Sequence, residues 1–140
     1  MSSQVLVLKP FHSFKLYLSS HIMLFPALIG FLNGFYFHSF ICFLTVLTSV
    51  NYWKHPTYGF RRNLDIVMVY TNLLSHTRIV PLDYCNSYNS SIDILYYAVF
   101  FYISAVISGR YLGEKEMSSY FHYFFHIIIN FSLINLYTDC

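Results

Sequence analysis

Charge is scarce in this sequence. Asp, Glu, Lys and Arg make up 10% of its 140 residues, where a soluble domain carries about 25%. A chain this poor in charge lacks the groups with which a soluble fold covers its surface. Eight Lys and Arg against six Asp and Glu leave a net charge of +2, too small a basic excess to make nucleic acid the partner. Cysteine is sparse as well. Cys42, Cys85 and Cys140 stand far apart, with no CxxC pair, so they encode neither a disulfide framework nor a zinc knuckle. There is no internal repeat, no low-complexity tract and no GxSxG nucleophile elbow. Met1–Lys15 also lacks the charged start, apolar run and small-residue cleavage site of a signal peptide. It reads as a short tail or an interfacial segment.

What the chain has instead is apolar length. Hydrophobic residues make up 56% of it and aromatic residues 21%. Five runs approach the ~20 residues that a helix needs to cross a hydrocarbon core: Leu16–Asn33, Phe35–Trp53, Leu64–Val80, Ile92–Ser108 and Met117–Tyr137. The first contains Pro26 and Gly30, both tolerated in membrane helices, and ends at the turn signal Asn33-Gly34. The third is the most interrupted, by Asp65, Asn72, His76 and Arg78. Between the third and fourth lies the polar loop PLDYCNSYNSSID, which includes the glycosylation sequon Asn89-Ser90-Ser91. The expected fold is therefore all-α: an integral, multi-pass membrane bundle of about five helices over residues 16–137.

Charge placement tests this topology independently. Five spans put Lys9, Lys15, Lys54, Arg61, Arg62, Arg110 and Lys115 on one side and only Arg78 on the other. The positive-inside rule then places the N-terminus in the cytoplasm. Dropping the third span would scatter these charges over both faces. Lys54, Arg61 and Arg62, with Trp53, Tyr58 and Phe60, read as a topology signal with an interfacial aromatic belt. Contact with anionic headgroups there is worth ~1 kcal/mol per basic residue.

Ionisable residues inside apolar runs are functional candidates. His122, His126 and Asn130 repeat at intervals of four and share a helix face with Ser119. Asp65, Asn72 and His76 share a face of the third span at offsets of seven and eleven. The topology brings Ser49, Asp65, His122 and His126 to the same cytoplasmic helix ends.

A Ser near the end of one helix, an Asp at the start of the next and a His-x-x-x-His in the last helix resemble the CREST superfamily of membrane hydrolases. That superfamily includes the alkaline ceramidases and the adiponectin and progestin receptor family. The resemblance implies metal-assisted hydrolysis of a lipid amide or ester. His122 and His126 would hold Zn²⁺, Asp65 would orient or deprotonate water, and Ser49 would contact the water or the substrate carbonyl. The family has seven spans, whereas five are read here. Its third zinc ligand lies four residues after the Ser, and Trp53 occupies that position in this chain. His55, Asp65 and His21 are the candidates to replace it, His55 foremost.

Plainer roles stand beside each of these. The histidines can hydrogen-bond to neighbouring helices, and Asp65 can serve as a helix N-terminal charge paired with Arg61 or Arg62. Ser49 can bond back to the carbonyl of Thr45. The alternative function is a non-catalytic membrane scaffold or assembly protein that keeps the fold without a complete metal site. Membrane lipids are the expected partners, together with a second copy of the chain in a homo-oligomer. A transporter is disfavoured by the lack of an inverted repeat.

Overall fold

The computed structural model describes residues 7–78 and 88–139, except the side chains at 78, 88–90 and 139. Residues 79–87, which include the first part of the polar loop expected at 81–93, and the side chain of Asn89 in the sequon lie outside the described residues. The described residues are helical nearly throughout: α1 Pro10–Ile22, α2 Leu24–Leu32, α3 Tyr36–Lys54, α4 Phe60–Arg78, α5 Tyr88–Arg110 and α6 Lys115–Asp139. The all-α expectation therefore holds.

The first rod starts earlier than hydropathy suggests, at Pro10 rather than Leu16. Proline at the first helical position has a preset φ and no N–H left unsatisfied. Residues 10–15 thus belong to α1. The apolar run marks only where the helix becomes hydrophobic. The same rod is broken once. Met23 keeps right-handed helical angles, φ −65° and ψ −10°, between α1 and α2. Pro26 explains the break, because it cannot donate to the Ile22 carbonyl and its ring crowds the preceding turn.

The turn after α2 needs its glycine, since Gly34 has φ +86°, a region that L side chains rarely enter. Amide donation from Phe35 to the Gly30 carbonyl at 2.8 Å closes the helix end. Gly30 itself lies under Tyr137 of α6, where a Cβ would stand 3.0 Å from the ring. A larger residue here would push α2 and α6 apart.

Helices α3 and α6 are the central elements. α3 packs on α1, α2 and α4, while α6 packs on α1, α2 and α5. Val46, Leu73, Leu95, Phe125, Ile129 and Leu133 fill the middle of the bundle. Leu8, Leu16, Tyr52 and Trp53 form a smaller apolar cluster at one end. At that end the N-terminal segment, the α3–α4 connection and the α5–α6 connection meet. Val7 donates its amide to the Pro56 carbonyl at 2.8 Å, and Lys9 Nζ lies 2.7 Å from Glu116 Oε1. The α2–α3 turn lies at the opposite end, with Phe35 against Tyr137 at 5.2 Å.

The radial pattern is inverted relative to a soluble bundle. Among the described residues, more large hydrophobic side chains are exposed than are buried. Phe37, Phe40, Phe43 and Leu47 line the outside of α3, and Phe124, Ile127 and Phe131 the outside of α6. His38, Thr45, Ser49, Asp65, Asn72, His76, His126 and Asn130 are buried. Among the described residues, two helices are long and apolar enough to cross a membrane: Pro10–Leu32 and Ser91–Arg110. The other three rods do not meet that measure.

Candidate functional site

The sequence-selected residues gather at the end where the basic loops meet. On α3, Ser49, Tyr52 and Trp53 are buried. Ser49 does not bond back to the Thr45 carbonyl. It donates its hydroxyl to the Asp65 carboxylate on α4. Asp65 is 4% exposed, lies beyond the first turn of α4, and has no ion pair with Arg61 or Arg62 among the described residues. A buried carboxylate needs a donor, and here the hydroxyl supplies it.

On α6, the stripe expected from the four-residue spacing faces the bundle. Ser119, His126 and Asn130 are buried and His122 is half-buried. His122 sits in a box of four rings: His126 at 4.9 Å, Trp53 at 5.2 Å, Phe125 at 5.7 Å and Tyr102 at 5.9 Å between centroids. Nδ1 of His126 lies 2.8 Å from Ser19 Oγ on α1. The Ser19 hydroxyl is also 3.1 Å from the Leu16 carbonyl. A carbonyl can only accept, so when Ser19 serves Leu16 the ring proton sits on His126 Nδ1 and donates to Ser19. His12 is held on Ser119 in the same way, Nδ1 to Oγ, at 2.8 Å.

Among the described residues, the histidine pair has no third metal donor beside it. His122 and His126 are adjacent. Trp53 presents an indole to His122, and indole nitrogen is not a zinc ligand. His55 is exposed at the C-cap of α3. His21 turns its Nδ1 to the Tyr17 carbonyl at 2.8 Å. Among the described residues, no three His, Cys, Asp or Glu side chains gather as a metal-binding group. Among the described residues at this end, His122 and His126 are the two imidazoles that stand together, one donor fewer than the three protein ligands of a catalytic zinc site. Two buried polar atoms of this region, Trp53 Nε1 and Asn130 Oδ1, have no hydrogen-bond partner among the described residues.

A second polar cluster at the opposite end escaped sequence reasoning in part. His76 Nδ1 lies 2.7 Å from the Asn72 carbonyl, so that nitrogen carries the proton and Nε2 accepts from the Tyr137 hydroxyl. Cys42 Sγ stands 3.6 Å from Tyr137 Oη and 3.7 Å from Asn72 Oδ1. His38 packs edge-on against His76 with centroids 5.0 Å apart, and its Nε2 is buried without a partner among the described residues. The signal was present in the spacing. His38, Cys42, Thr45 and Ser49 fall on one face of α3 at offsets of four, seven and eleven. The matching face of α4 carries Asp65, Asn72 and His76. Antiparallel packing lays one stripe on the other, giving a polar seam from Ser49–Asp65 to His38–His76.

At the rim of the basic end, the Lys9–Glu116 contact holds the lysine above its ordinary pKa and the glutamate below its own, chiefly through their hydrogen bond. Glu116 also lies in the first turn of α6, where a negative charge suits the helix dipole.

No protein-family model, no curated protein and no solved structure matches this chain.

Proposed function

We propose that this chain is a five-span integral membrane protein built on a reduced CREST-like plan, with its N-terminus in the cytoplasm, and that it serves as a non-catalytic scaffold or assembly protein. The membrane reading is supported by the apolar exterior, the polar interior and the convergence of the basic connections at one end. Polar groups facing lipid would be costly, and here they are turned inward and largely paired.

The observation that carries the non-catalytic reading is Trp53. It occupies the position of the third ligand in the resemblance and closes over His122 at 5.2 Å. The histidine pair is then interior structure. His126 ties α6 to α1 through Ser19, and His122 packs among aromatic rings.

A metal-assisted lipid hydrolase is the second reading. It is favoured by the bond between Ser49 and Asp65, which joins two further residues of the motif one turn from Trp53. Zinc content separates the two. Wild-type protein purified without chelator is expected to carry no stoichiometric zinc, while Trp53→His restores the missing donor and gains it. One zinc per wild-type chain, lost in both His122→Ala and His126→Ala, would establish the hydrolase reading instead.

A further inference from the structure

A groove of about 440 Å³ runs along the outside of the bundle between α1 and α6. Leu18, Ile22 and Phe124 make its apolar length, and Ser19 lies on its floor. Lys15 and Tyr120 stand at the end nearer the basic connections. Along α1, the distance from Lys15 to Ile22 is about 10 Å at the helical rise per residue. The groove is thus ordered by polarity, with a cation at the membrane surface and hydrocarbon below it.

Lys15 is the informative residue. Its neighbour Lys9 is neutralised by Glu116. Among the described residues Lys15 has no carboxylate partner. Its ammonium is held instead over two rings, 4.3 Å from the centroid of Phe11 and 4.9 Å from that of Tyr120. Those faces fix the position of the charge without cancelling it. The larger groove between α2 and α3, about 590 Å³, is lined by apolar residues with Ser39 and has no cation. Of these two grooves among the described residues, the α1–α6 groove joins a positive charge without a carboxylate partner to an apolar trough.

We propose that this groove binds one anionic phospholipid from the cytoplasmic leaflet, with its phosphate on Lys15 and an acyl chain along Leu18, Ile22 and Phe124. The bound chain covers Ser19, and Ser19 holds His126. The occupied groove therefore abuts the histidine pair from the lipid side. One basic residue near a membrane surface is worth a preference of about five-fold.

The proposal rests on the membrane reading, and the two fail separately. Protein that does not enter bilayers fails the first. Protein that inserts without headgroup preference fails only the second. The test is native mass spectrometry of the full chain released from nanodiscs of equimolar phosphatidylglycerol and phosphatidylcholine. Wild type is expected to retain one phosphatidylglycerol about five-fold over phosphatidylcholine. Lys15→Arg keeps that ratio, Lys15→Gln brings it to parity, and Leu18→Trp, which fills the trough, loses both lipids. Far-UV circular dichroism confirms that each variant is folded. Equal retention of the two lipids by wild type, or an unchanged ratio in folded Lys15→Gln, would overturn the proposal.

Discussion

Replacing Tyr137 by Phe separates the two things this side chain does. Its ring packs against Phe35 at 5.2 Å and lies over Gly30, and both contacts survive the change. Its hydroxyl donates to His76 Nε2 and stands 3.6 Å from Cys42 Sγ, and that is lost. Tyr137 and His76 are each 1% exposed, so no solvent replaces the hydroxyl. A buried acceptor left without its donor costs about 1–3 kcal/mol. Interhelical hydrogen bonds measured within membranes average about 0.6 and reach about 1.7 kcal/mol, because the unfolded state also finds partners. The expected destabilisation is therefore about 1–2 kcal/mol. Unfolding in mixed micelles by added sodium dodecyl sulfate, followed by helicity, measures it. His76→Leu alone leaves the tyrosine hydroxyl with only the thiol. The double variant removes both polar ends and should lose less than the sum of the singles by about 1 kcal/mol. Tyr137→Phe within about 0.3 kcal/mol of wild type, or a double-variant coupling near zero, would refute the view that this bond joins α4 to α6.

The same assay applies to the other end of the seam. Ser49→Ala leaves the Asp65 carboxylate without its donor and should cost about 1–3 kcal/mol, more than Asp65→Asn, which removes the charge together with the need to solvate it. The Lys9–Glu116 pair gives a pH signature of defined sign. Glu116 is held below its ordinary value of 4.5, so whatever the pair contributes is present above pH 4.5 and fades as pH falls through the lower folded value. Glu116→Gln should remove that part of the acid dependence, and high salt should weaken it in wild type, both read from unfolding curves between pH 5 and 3.

Much of the bundle was legible because two periodicities survive in a single sequence. The four-residue spacing of His122, His126 and Asn130, with Ser119 on the same face, marked the inward face of α6, and the offsets of seven and eleven marked that of α4. The equal offsets on α3, from His38 to Ser49, show how α3 and α4 align when antiparallel. Other features were hidden for physical reasons. His12 and Ser19 gained meaning only when α1 was seen to lie against α6. His12 also falls before the apolar run, in a stretch that reads as a tail until Pro10 is recognised as a helix start. Tyr137 was one tyrosine among fourteen, and nothing local separates a hydrogen-bonded tyrosine from one in an interfacial belt. Asp65 lost its expected arginine partners because the helical turn directs it toward Ser49.

The central claim is that the chain crosses the bilayer five times, with its basic connections on one side. Single cysteines answer it directly, placed at Lys54, Arg110 and Asn33 in a background where Cys42, Cys85 and Cys140 are alanine. In sealed vesicles, a membrane-impermeant maleimide should label the cysteines at 54 and 110 from the same side and the cysteine at 33 only from the other. Labelling of 33 and 54 from one side would contradict the account, since α3 would then not cross the membrane.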